Sequence, residues 1–229
     1  MTFSITARDP DSGQLGIAAA TGTSGVGQLL TWARTRVGAV ATQGWINPYL
    51  GIDGLDLLAN GHPADKALRA VVHLDDAARL RQVAVVDAKG RTAAHTGEDC
   101  ADWAGHVLGD GFVVAGNILE SRETVEACAE RFRGTTGEED LVQRLILALE
   151  AGERAGGDRR GVRSATVYVV AGEEYPLWDL RVDDHDAPIE ELHRLRDRLS
   201  ETLLPQIRKL PTRLDTAGGL SDTDQDGLV

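Results

Sequence analysis

With 229 residues, 42% hydrophobic and 26% charged, the chain has the composition of one well-cored globular unit. Its formal charge of −12 excludes nucleic acid and an anionic membrane as main partners, because both reward clustered Lys and Arg. No apolar run approaches the roughly 18 residues of a membrane span, and the two cysteines, Cys100 and Cys128, have no CxxC pairing or His at zinc spacing, so they read as reduced thiols of a cytoplasmic protein.

Residues Thr2 to Asp9 alternate apolar and polar side chains, the period of a half-buried strand, with no basic or apolar leader before them. Met1 precedes a small residue, so its enzymatic removal would leave Thr2 as the N-terminus. A hydroxyl would then sit beside a free α-amine, whose ordinary pKa of about 7.7–8.0 leaves a neutral fraction able to take the hydroxyl proton. Thr2, Ser4 and Thr6 share one face of this strand.

The turn Asp9-Pro10-Asp11-Ser12-Gly13 leads into a second strand, Gln14 to Thr21. Its small apolar residues predict burial on both faces and close approach of another layer at Gly16. The segment Gly22 to Gly27 is an anion-binding nest or a flexible connection, and lacks the lysine of a P-loop. Val37 to Gln43 reads as a third strand running into the polar-aromatic segment Gln43 to Tyr49. Short helical patterns over Gly54–Asn60 and Ala64–Val72 flank Gly61-His62-Pro63. Gln82–Asp87 and Arg91–Thr96 form a hairpin about a glycine turn, and Thr96 to Gly105 reads as a loop.

In the strand Phe112–Leu119, Asn117 is a polar group in apolar company, hence a hydrogen-bond hub or a site residue. Amphipathic helices over residues 123–133 and 138–152 end at Gly156-Gly157-Asp158-Arg159-Arg160-Gly161. There Arg159 and Arg160 either cap the helix and pair at the surface, or clamp a substrate carboxylate with Asp158 orienting them. Strands at 164–170 and 177–185 follow. The last ends in Asp183, Asp184 and His185, metal-binding types whose consecutive placement sends alternate members to opposite faces. A helix over 188–210 closes a single domain of residues 1–210. Residues 211–229 read as a polar tail holding Asp222 to Gly227, half of a calcium loop.

Paired hairpins, helix pairs and further strands predict an α+β fold, a four-layer αββα sandwich of two antiparallel sheets flanked by helices. Met1-Thr2-Phe3-Ser4-Ile5, Gly38 to Gln43 with Asn47-Pro48, Thr96-Gly97 with Cys100 and Trp103-Ala104-Gly105, Gly116 to Leu119, Gly156 to Gly161 with Ser164-Ala165, and Asp179 to His185 together carry a resemblance. Over about residues 1–195 the chain resembles the domain of unknown function 1028, a bacterial and archaeal family grouped with the N-terminal nucleophile (Ntn) hydrolases. It departs from the family's usual wording after the second strand, where Gly22-Thr23-Ser24 replaces Ser-Lys or Ser-Arg followed by an aromatic.

The resemblance implies an Ntn-hydrolase-like fold and Thr2 as nucleophile, without fixing a substrate. The expected chemistry is amide-type C–N hydrolysis of a small molecule, with no cofactor and no metal. Oxyanion donors come from Asn117 or a backbone N–H near Gly116, with Gln43 and Ser164 as further candidates at strand edges. Substrate contacts fall to Arg159, Arg160, Asp158 and Ser4. A homo-oligomer, a dimer, is expected. Two alternatives are a non-catalytic binding or assembly protein using Trp32, Trp45 or the C-terminal helix as interface, and a metal-dependent hydrolase on Asp183, Asp184 and His185.

Overall fold

Alternation along the first strand, β1 (Thr2–Arg8), sorts its side chains between two interiors. Phe3, Ile5 and Ala7 are buried on one face, whereas Ser4 pairs in register with Ala19 and Ala115 of a different core cluster on the other. The computed structural model describes residues 2–135, 139–157 and 160–219. Within them β1 is central to a six-stranded antiparallel sheet ordered β10-β9-β2-β1-β8-β7. Its other members are β2 (Leu15–Thr21), β7 (Trp103–Gly109), β8 (Phe112–Leu119), β9 (Ser164–Val170) and β10 (Pro176–Val182). A four-stranded sheet runs β3 (Thr31–Arg34), β4 (Gly38–Gly44), β5 (Arg81–Asp87) and β6 (Thr92–Thr96).

Three apolar layers separate four structural ones. Between the sheets, Leu15, Ile17, Val113 and Ala115 meet Ala39, Ala41, Ala84 and Val86, small side chains that let the two backbones approach. Helices α3 (Glu123–Arg133), α4 (Leu141–Arg154) and α5 (Pro188–Thr202) cover the larger sheet through Val125, Leu145, Leu149 and Leu192. The smaller sheet is covered by α1 (Pro48–Ala59) and α2 (Ala64–His73), through Leu55, Leu58 and Leu68. This is the expected αββα order. Among the described residues, no helix is long and apolar enough to cross a membrane.

Strand β2 is buried along its whole length, and a Cβ on Gly16 would lie 2.7 Å from Leu145 Cδ1, so α4 rests directly on its backbone. Arg144 of the same helix is 3% exposed, reaches Asp9 Oδ1 at 3.1 Å, and places its guanidinium 4.2 Å from the Phe132 ring centre. It therefore ties α3, α4 and the first hairpin turn together.

Several boundaries differ from expectation for identifiable reasons. Helix α1 starts at Pro48, not Gly54, because Asn47 Oδ1 accepts from Tyr49 N (3.1 Å) and Pro48 supplies a preset first turn. Strand β7 takes the last three residues of the expected 96–105 loop and runs on to Gly109, and β3 is an additional strand before Val37; both lie at sheet edges and carry few β-branched residues. The final strand stops at Val182. The expected long C-terminal helix is α5 plus the single turn α6 (Leu204–Ile207). Beyond it, Arg213 pairs with Glu174 (2.9 Å) and Tyr175 Oη donates to the Pro211 carbonyl (3.2 Å), so residues 211–213 lie against the β9–β10 connection. The half calcium loop lies outside the described residues.

Asp87 shows how one buried carboxylate joins three segments. It accepts from Ala64 N at the start of α2 (3.2 Å), from Lys89 N and Arg91 N in the β5–β6 turn (2.9 and 3.1 Å), and from Arg91 Nε (2.6 Å). Burial alone would raise its pKa, but the Arg91 side chain and three backbone donors hold it below the usual carboxylate range. A depressed folded-state pKa stabilises above the unfolded value of about 3.9 and ceases to as pH falls through the folded one. Asp87→Ala is therefore expected to cost about 1–3 kcal/mol in urea unfolding at pH 7, with the difference from wild type shrinking as pH drops below about 4.

Candidate active site

Strand register assembles a polar row across the larger sheet. Thr21 pairs with Ser164, Thr2 with Thr21, and Thr2 with Asn117, so four neighbouring strands place Ser164, Thr21, Thr2 and Asn117 side by side. The chain thus brings together three of the four expected catalytic residues. Thr2 is half-buried, and its hydroxyl donates to Thr21 Oγ1 at 3.2 Å, which lies 3.4 Å from Thr23 Oγ1. A cavity of about 540 Å³ opens beside the row, lined by Thr2, Thr21, Thr23, Leu30, Ile46 and Asp183 among others.

The fourth residue, Gln43, enters from the smaller sheet through a hub that sequence reading missed. Gln82, fully buried on β5, donates through Nε2 to the carbonyls of Gly105 (3.1 Å) and Gly116 (2.9 Å) on the opposite sheet. Carbonyls only accept, so the orientation of this amide is forced. Its Oε1 must then receive Gln43 Nε2 (2.7 Å) and Asn117 Nδ2 (3.0 Å). Asn117 is thereby held with one amide hydrogen on Gln82 and the second unspent in that bond. Gln43 anchors the hub, and its buried Oε1 has no hydrogen-bond partner among the described residues. Ser4 Oγ, one step along β1 from Thr2, is likewise buried without a partner among them.

Backbone strain marks the same place. Between the pairs Trp103–Leu119 and Gly105–Gly116, two residues of β8, Asn117 and Ile118, oppose the single Ala104 of β7. In this bulge Ile118 takes φ +57°, a left-handed conformation that a β-branched residue adopts at a cost of about 1–3 kcal/mol. Its N–H is held by the Ala101 carbonyl at 3.0 Å. The extra residue resets alternation, so both Ile118 and Leu119 reach the helix-side core while Asn117 keeps its place against Thr2.

Ser164 donates to the Thr23 carbonyl (2.6 Å) and accepts from Val26 N (3.1 Å), so its hydroxyl is spent on the Gly22–Gly27 loop that walls the cavity. Arg160 is exposed and is not among the described residues lining that cavity. Asp158 and Arg159 lie outside the described residues. Asp184 pairs with Arg163 (2.6 Å) and His185 Nδ1 accepts from Ala187 N (3.0 Å), so the Asp183-Asp184-His185 set does not converge, and no group of three metal-ligating types does so among the described residues. Neither thiol is bonded to another, and burial pushes the Cys128 pKa up to about 12 and raises that of Cys100. Trp32, half-buried, packs on Gly51 of α1 and donates its indole N–H to the Leu29 carbonyl (3.0 Å).

Gln82→Leu removes at once the bonds to one buried carbonyl (Gly116), one half-buried carbonyl (Gly105) and two side-chain amides. It should destabilise the protein by about 2–4 kcal/mol in urea unfolding, whereas Gln43→Leu, which removes one bond to the hub, should cost about 1 kcal/mol.

The chain matches the "Family of unknown function (DUF1028)" over residues 2–192. Protein SPO2555 from Silicibacter pomeroyi, whose crystal structure carries the same family assignment, is 31% identical with a TM-score of 0.90, covering 100% of this chain and 99% of that one. Similarity to Anbu (ancestral beta-subunit) from Yersinia bercovieri is lower, at 13% identity and a TM-score of 0.38 over 91% of this chain and 98% of that one. Thiobacillus denitrificans BPH gives 12% identity and 0.37 over 75% and 98%. No curated protein matches the chain. On the extent of the family match and the likeness to SPO2555, the chain belongs to the DUF1028 family.

Proposed function

We propose that the protein is an N-terminal nucleophile amidohydrolase that cleaves a C–N bond of a small molecule with Thr2 once Met1 has been removed. The observation that carries this reading is the seat of Thr2 at the centre of the polar row, on the wall of a cavity and in register with Asn117. Thr2 Oγ attacks the carbonyl carbon while its own α-amine takes the hydroxyl proton and passes it to the leaving nitrogen. Water then releases the acyl group from the resulting ester and restores the alcohol. The second amide hydrogen of Asn117, fixed by Gln82, serves the oxyanion, a contribution of about 3 kcal/mol. A cytoplasmic setting belongs to the same reading and is supported by the two free thiols.

A second reading, a dimeric assembly protein on the same fold, is supported by Trp45, Tyr49 and Leu74, exposed at 72%, 67% and 82%, the last two lining one groove between α1 and α2.

Intact mass and Thr2 substitution separate the two. Purified protein should lack Met1, and Thr2→Ala should abolish turnover of any amide the wild type hydrolyses while Thr2→Ser retains it. Because Thr2 is half-buried and bonded to Thr21, Thr2→Ala should also cost about 1 kcal/mol of stability. Quantitative retention of Met1, or an active Thr2→Ala protein, would overturn the hydrolase.

A further inference from the structure

The cavity beside Thr2 is not electrostatically neutral. Two carboxylates, Asp183 and Asp184, stand on its wall. Asp184 is paired with Arg163, which also binds Asp186. Arg181, whose stem passes within 3.4 Å of a Cβ placed on Gly27, is paired with Asp179 (2.8 Å). The Asp183 side chain has no such partner among the described residues, while its main chain is clamped, since its carbonyl accepts from Gly25 N at 2.8 Å. Ser164 bolts the other side of that loop, so the carboxylate is carried on a fixed wall. The rest of the described lining carries no charge: it is hydroxyl-bearing (Thr2, Thr21, Thr23, Ser24), the Gln28 amide, Gly25, or apolar (Val26, Leu29, Leu30, Ile46).

We infer that the substrate amide bears a cationic group, an amine or guanidinium, that docks on the Asp183 carboxylate while its carbonyl lies at Thr2; the inference rests on the hydrolase reading above. Asp183 is exposed, so an ion pair there contributes up to about 1 kcal/mol, roughly fivefold in affinity for the cation, and repels an anion by a similar factor. A volume of about 540 Å³ suits a ligand of amino-acid size. A substrate carboxylate at this end would face Asp183 and be repelled. An arginine clamp from the Gly156–Gly161 turn predicts the opposite preference and is the competing outcome.

The test uses the 4-nitroanilides of lysine, alanine and glutamate with the full chain after Met1 removal. The lysine compound should exceed the glutamate compound in kcat/KM, and Asp183→Asn should lower that ratio by about tenfold. Asp110→Asn, in the exposed β7–β8 turn at the far end of β8, changes the net charge equally and should leave the ratio unmoved. The ratio should also fall as salt is raised. In parallel, lysinamide should raise the melting temperature of Thr2→Ala protein more than that of the Thr2→Ala, Asp183→Asn double variant. Turnover with no charge preference, or a preference for glutamate, overturns the inference and leaves the hydrolase standing. Asp183-dependent binding of lysinamide with no turnover upholds the charge assignment and removes the hydrolase.

Discussion

One side-chain amide couples the two sheets at the end where the polar row lies. Gln82 reaches from β5 to two carbonyls on β7 and β8 and returns, through its oxygen, to Gln43 and Asn117. Most of the inter-sheet layer is alanine and valine, and packing of that kind sets spacing but not lateral alignment. A hub of directed bonds in a low-dielectric interior supplies the alignment, because a slip of either sheet would leave several buried polar groups unpaired together. The position of Asn117 relative to Thr2 is therefore a property of the whole sandwich.

The bulge at Ile118 belongs to the same device. A regular strand would carry Asn117 and Leu119 to one face, forcing an apolar side chain into the polar row. Inserting one residue sends Leu119 to the helix side, over Gly116, at the cost of a strained isoleucine. Strain of this kind persists where neighbouring contacts over-determine it, and here the Ala101 carbonyl and the helix-side core hold both flanks.

Much of this was legible in the chain. Alternation from Thr2 gave the central strand and its polar face, the Ala-rich Leu15–Thr21 run announced a strand buried on both sides, and a lone Asn in Phe112–Leu119 announced a polar group needing partners. Asn117 turned out to be a partner in the hydrogen-bond hub, in register with Thr2. What stayed hidden was non-local. Gln82 opens a valine-rich strand and looks like an ordinary solvated end, because nothing in its neighbourhood reveals carbonyls arriving from residues 105 and 116. Ser164 read as a candidate oxyanion donor for the same reason, since its partners Thr23 and Val26 lie about 140 positions earlier. Strands β3 and β7 escaped because edge strands need only one hydrogen-bonded neighbour and tolerate Trp, Ala, Gly and His in place of the β-branched pattern.

The bolting of the Gly22–Gly27 segment by Ser164 also bears on timing. A glycine-rich strip over a cavity mouth invites comparison with a swinging flap, yet this one is riveted at two places, by Ser164 of β9 on one side and by the Asp183 carbonyl just past β10 on the other. The entrance then behaves as a fixed funnel instead of a door. Ligands of the right shape then arrive and depart at rates set by diffusion and charge, with no loop opening to gate them.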